Sequence, residues 1–166
     1  MQPFGTTLLL LAALLGQPAA GQQSPAKAAA SSPSQPLTIS DLVVKQVLEP
    51  LRIGMITHNL KTVLSVFDKN ELTDSTDFEG HLQAFFRQFQ ETNFRYQLLQ
   101  AAQDKERASA IVLMEMDAYP YETTSIAVRR SVQMRMQLKL TPTGWKIASF
   151  APSDFFNVEY NGTKQQ

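Results

Sequence analysis

The 166-residue chain contains no cysteine. That rules out disulfides, thiol catalysis and cysteine-ligated metals, and it removes the residue that a lipid-anchored lipoprotein carries at its cleavage site. A domain without cross-links must be held by its core alone. No charge of one sign prevails either: 15 Lys and Arg balance 15 Asp and Glu. Nucleic-acid binding is therefore left without electrostatic footing. Histidine is scarce, at 2 residues. With no cysteine and no close carboxylate spacing, little is left from which to build a transition-metal site, and no cofactor is expected. Long apolar runs are missing too. Residues 8–15 form an unbroken Leu/Ala run, well short of the roughly 20 residues that a bilayer span needs.

That short run has another reading. It is followed by Gly16 and Pro18, which break a helix, and then by small residues at Ala19 and Gly21. Residues 1–21 thus read as a signal peptide cut before Gln22, although residues 1–7 carry no Lys or Arg. Residues 22–37 are Pro, Ala, Ser and Gln with Lys27 as the lone charge and Leu37 at the end, too polar to offset their ordering entropy, and read as a disordered tether. The pattern predicts export to a periplasm or to the medium, with no stable membrane span after cleavage. Residues 38–157 are long enough for one core and too short for two ordinary domains. Residues 158–166 read as a flexible tail, in which Asn161-Gly162-Thr163 is a glycosylation sequon that matters only in a eukaryotic secretory host.

Within the domain the hydrophobic period changes once. Ile39, Leu42, Val43, Val47, Leu51 and Met55 recur at helical spacing, with Thr38 and Asp41 as a capping box. Pro50 inside that pattern predicts a kink near Gln46 or a break. Asn59 is a candidate N-cap for a short helix turning Leu60, Val63, Leu64 and Phe67 inward. A second capping-box pair, Thr76 and Glu79, opens a helix with the stripe Phe78, Leu82, Phe85, Phe86 and Phe89, which reads as core.

After Thr92 the period becomes two. Phe94, Tyr96 and Leu98 begin a strand; Ala110, Val112, Met114 and Met116 share one parity of the next. Residues 126–140 alternate most strictly, with Val128, Val132, Met134, Met136 and Leu138 on one side and Arg130 as the only polar intruder there. At about 3.3 Å per residue that strand would run about 50 Å, so it must curve over a helix. Thr141-Pro142-Thr143-Gly144 reads as a hairpin turn before a last strand over residues 145–150. Helices first and an antiparallel meander afterwards is an α+β order. Turning around Glu122 pairs residues whose numbers sum to 244, which sets Glu115 opposite Arg129 outside and Arg130 opposite Met114 inside.

These residues resemble a family. LKTVLSVFD, then FEGHLQAFFRQF, then a close in TPTGWKIASFAPSDFF, is similar to the nuclear-transport-factor-two-like superfamily, including its SnoaL-like members. The resemblance covers residues 41–157. It implies a cone-shaped curved antiparallel sheet wrapped around N-terminal helices, with a cavity at the open end. Some members are isomerases, dehydratases, cyclases or hydrolases, and many others only bind ligands or proteins. The enzymes commonly place an acid or base on a strand inserted between the second and third helices. Here that interval, residues 68–77, has no apolar alternation, so no catalytic carboxylate carries over. The resemblance also suggests a homodimer through the outer sheet face, yet that face is polar here, and dimer and monomer both stay open.

Few residues offer chemistry. Arg130, pointing inward, would bind an anionic ligand group or else snorkel out at the rim of the sheet. With no acid beside it, it should reach the cavity mouth and water or meet such a ligand, so Arg130→Met should keep or raise stability. Met114 and Met134 would line the cavity with it. Tyr119 and Tyr121, flanking Pro120, would rim a pocket, or simply occupy a loop corner. His58 is a general-base candidate, along with Tyr119 and Tyr121, if the protein is an enzyme; otherwise it caps a helix end or is a hydrogen-bonded core histidine. His81, Asp68 and Asp154 are more simply explained by helix surfaces, helix ends and a turn. The leading expectation is an exported, non-catalytic module that binds a small apolar or anionic ligand or a protein. The alternative is a small-molecule isomerase, dehydratase or hydrolase.

Overall fold

Thr38 opens the helical half of the domain. Its Oγ1 accepts the Asp41 N–H at 3.2 Å and the Asp41 carboxylate accepts the Thr38 N–H at 2.9 Å, the reciprocal capping box expected. The computed structural model describes residues 36–122 and 127–159, all within the unit Gln35–Gln166. The expected signal peptide, most of the tether, part of the loop after Tyr121, the sequon and nearly all of the tail lie outside the described residues.

From its cap, α1 (Ile39–Val43) runs into a π-helical turn (Val44–Leu48) and on into α2 (Glu49–Ile56). Pro50 has no N–H for the Gln46 carbonyl, and the wider turn, in which the Glu49 N–H reaches back to Val44, takes up the mismatch expected near Gln46. Asn59 caps α3 (Leu60–Ser65), its Oδ1 accepting the Thr62 N–H at 3.0 Å. The α2–α3 corner needs Gly54: a Cβ there would lie 2.6 Å from Val63 Cγ2. α4 (Ser75–Gln88) starts two residues earlier than its capping-box signature implies. Asp74, at φ 55°, is the N-cap and makes no side-chain cap bond, so the Thr76–Glu79 pair does not form a box.

The sheet is an antiparallel meander, β1 (Phe89–Asp104), β2 (Arg107–Pro120), β3 (Val128–Thr141) and β4 (Gly144–Ala151), four strands in spatial order. β1 leaves α4 directly at Phe89, earlier than Thr92: Phe89 closes the helical stripe, and a bulge between Phe89 and Glu91 then sets the inward parity of Thr92, Phe94 and Tyr96. The even parity of β2 and β3 is buried as expected, through Ala110, Val112, Met114, Met116, Met134, Met136 and Leu138. The register is shifted by two residues from the expected one. Met116 pairs with Arg130 and Asp117 with Arg129, so paired numbers sum to 246. A shift of two keeps every side chain on its face. It also improves the outer charge match, since Asp117 accepts from Arg129 Nε at 2.7 Å and from Arg95 Nη2 at 3.1 Å. Arg129, whose hydrogen bond is the larger influence, and Arg95 hold the Asp117 carboxyl below its ordinary range.

No strand is inserted among residues 68–74. The segment between α3 and α4 makes one parallel bridge, Phe67 with Ile147, and then turns away, with the Leu72 N–H on the Asp68 carbonyl at 2.9 Å. Lys139 and Arg107 tie Glu71 down at 2.6 Å each. After β4 comes a short 3₁₀ turn (Ser153–Phe156), whose Phe155 and Phe156 enter the core.

Candidate functional site

The cone interior is packed solid. Met114 and Met134 have 0 % of their surface accessible, and Met116, Phe85 and Phe155 likewise. A side chain lining even a water-sized void would retain some accessible surface. The expectation that Met114 and Met134 line an open apolar cavity is therefore corrected: they are core residues.

Arg130 is inside, as its parity demands, and only 2 % exposed. Its Nη1 donates to the Phe155 carbonyl at 2.6 Å and its Nη2 to the Val158 carbonyl at 3.0 Å, while its guanidinium carbon lies 5.5 Å from the centre of the Phe85 ring. The charge is thus met by backbone dipoles and a π face. Arg130 does not reach water at a cavity mouth. It fastens the segment after β4 across the end of the cone, and Val158, expected to belong to the tail, is part of that closure.

His58 sits at the α2–α3 corner with φ 50°. Its Nε2 lies 3.1 Å from Thr92 Oγ1 and its ring stacks on Phe86 at 4.9 Å. Burial holds its pKa below the ordinary value. Tyr119 and Tyr121 are exposed, at 42 % and 58 %. Tyr121 donates its N–H to the Gln88 carbonyl at 3.1 Å and lines a shallow cleft of about 230 Å³ with Arg87 and Glu122. The structure does not assemble these three into one site: His58 contacts Thr92 and Phe86, and neither tyrosine joins it.

A different place on the molecule has the form of a binding site. Between α4 and β4 lies a cleft of about 310 Å³, at the lower end of the sizes usual for ligand pockets. The loop before α4 supplies Thr73 and Asp74, and α4 supplies Asp77, Phe78 and His81, whose spacing puts them on one helix face. β4 and the residues after it supply Ser149, Phe150, Ser153 and Asn157. Sequence reasoning dismissed His81 and passed over Asp77. The i, i+4 spacing of those two was the available signal. Ser149 gave none, because a bulge at Ala148 reverses the parity of β4. Among the described residues no cluster of His, Asp and Glu is suited to a metal ion, and no helix is long and apolar enough to cross a membrane.

No family model and no curated protein matches the sequence. Solved structures do match. A protein of Planctomyces limnophilus aligns over 67% of this chain and 92% of its own, with 8% identity and a TM-score of 0.58. The Kfla4162 protein of Kribbella flavida aligns over 67% and 86%, with 11% identity and a TM-score of 0.59. The hexachlorocyclohexane dehydrochlorinase LinA-type3 of Novosphingobium barchaimii aligns over 67% and 83%, with 10% identity and a TM-score of 0.52. The chain has the nuclear-transport-factor-two-like fold, that of the SnoaL-like proteins. At these identities the likeness is one of fold.

Proposed function

We propose that the protein is an exported, non-catalytic interaction module that uses its surface, the cone interior being taken up by its own side chains. One observation carries this reading: the two carbonyls of the closing segment occupy the guanidinium that would otherwise greet an anionic ligand, over a core of methionine and phenylalanine without accessible surface. Export rests on residues 1–21, and the tether after them would let the domain reach a partner away from its point of attachment.

The rival reading, a small-molecule isomerase, dehydratase or hydrolase, draws on the dehydrochlorinase among the similar structures. It needs an acid or base facing substrate inside the cone. His58 is the nearest candidate, and its Nε2 is engaged by Thr92.

Thermal denaturation of the mature protein against a panel of apolar and anionic small molecules separates the two. A ligand held in the cone at a hundredfold over its Kd adds about 2.7 kcal/mol and a clear rise in Tm. The module reading expects no rise attributable to the cone. A rise that Met134→Ala or Arg130→Met abolishes would favour the rival. Export is checked by intact mass: protein from an envelope or culture fraction should begin near Gln22, and full-length cytoplasmic protein would refute it.

A further inference from the structure

β4 is an edge strand whose outer side is met by the backbone of another described segment only at Ile147. The Ile147 N–H donates to the Val66 carbonyl and the Ile147 carbonyl accepts the Asp68 N–H, both at 2.8 Å. Beyond Ile147 no backbone hydrogen bond from another described segment reaches that side of β4. An unpaired strand edge is a template for another strand, and proteins usually blunt it with charge, proline or a covering loop. Here the chain that could have covered it turns away at Asp68, and the space left is the cleft bounded by α4.

The lining says what would enter. Asp74 and Asp77 bring two carboxylates, and Thr73, Ser149 and Ser153 bring hydroxyls. Asn157 adds a side-chain amide. No lysine or arginine is among the described residues that line the cleft. Acceptors outnumber donors and the charge is negative, so the complementary occupant is a cation rich in N–H groups. Phe78 and Phe150 add an apolar wall suited to the stem of a long side chain.

We infer that this cleft docks an extended basic segment of a partner protein, which adds to the sheet beside β4 and sets a lysine or arginine against Asp74 and Asp77. Main-chain bonding to an edge gives such complexes their affinity, and the side-chain pocket gives them selectivity. The inference rests on the interaction-module reading and names its site and the chemistry of its partner.

The test uses the full mature chain, isotope-labelled for NMR, and three blocked peptides. The first alternates valine and threonine around a central lysine, the second carries glutamate in place of that lysine, and the third has proline at alternate positions of the first. The lysine peptide should shift the amides of Ser149 and Phe150 on titration. The glutamate and proline peptides should bind at least about tenfold more weakly. Asp77→Asn should weaken the lysine peptide about tenfold, with Asp77→Glu retaining it, and circular dichroism should be unchanged for both. Equal binding of the lysine and glutamate peptides, binding indifferent to Asp77→Asn, or no binding at all would overturn the inference. So would protection of the β4 edge in the full chain that vanishes when residues 160–166 are removed, since the occupant would then be the chain's own tail. None of these failures touches the thermal-shift result on the cone, so the module reading stands or falls separately.

Discussion

Arg130 links sequence and fold most tightly at the scale of single residues. It looks like a ligand-binding arginine because its parity points it into an apolar face, and it is a structural one because two carbonyls arrive there from the segment after β4. Removing a donor from buried carbonyls costs about 1–3 kcal/mol. Arg130→Met should therefore destabilise the fold by about that much in urea titration, reversing the expectation that it would keep or raise stability. Hydrogen exchange at the backbone N–H of Asn157, which donates to the Asp154 carbonyl at 2.9 Å, should accelerate as the closing segment loosens. An unchanged midpoint would mean the closure does not depend on the guanidinium. His58 makes a second prediction. Burial disfavours its charged form in the folded protein, so its folded pKa lies below the unfolded value near 6.5. Between those values the unfolded chain takes up a proton that the folded one does not, and stability falls as pH drops through that window. The paired carboxylates Asp117, Glu49 and Glu71, also lowered, lose their contribution only below their ordinary values of 3.8 and 4.5. His58→Gln, which keeps a hydrogen-bonding group for Thr92, should flatten the decline that sets in as pH falls below about 6.5 in denaturation curves while leaving the acid limb in place.

Secondary elements were legible wherever burial imposes a period. The even parity of β2 and β3 and the Phe78, Leu82, Phe85 stripe of α4 could be read directly, because one face of each is sealed in the core. The register was not, because a shift of two residues leaves burial unchanged and only cross-strand charge distinguishes the alternatives. The cleft was hidden for a different reason. Its walls come from residues 72–81 and 149–157, far apart in the chain, and the bulge at Ala148 turns Ser149 against the alternation that precedes it. Pro50 announced a disturbance but not its form. The π-helical turn that absorbs it holds Gln46, whose Oε1 accepts the Trp145 N–H at 2.8 Å at the start of β4. Gly144 is fixed by the same contact: its φ is 111°, and a Cβ would lie 2.6 Å from Gln46 Oε1. Gly144→Ala should therefore cost about 1–3 kcal/mol in thermal melts. Gly80→Ala, where nothing lies within 4 Å of the added Cβ, is the comparison and should be neutral or stabilising by up to about 1 kcal/mol. Equal effects at the two glycines would remove the Gln46 contact from the explanation.

The domain as a whole is a cone without a chamber, whose outer charges on β1, β2 and β3 bond to one another through Arg95, Glu115, Asp117 and Arg129. A closed interior directs function to the surface, and that closure is the claim on which the proposed function depends. Carbon-13 methyl NMR of the methionines measures it directly, since Met114, Met116, Met134 and Met136 report from the centre of the cone. Titrated with small apolar and anionic ligands, these methyl signals should hold their positions up to the solubility of each compound. Saturable shifts at Met114 and Met134 would reveal a ligand inside the cone and contradict the closed module.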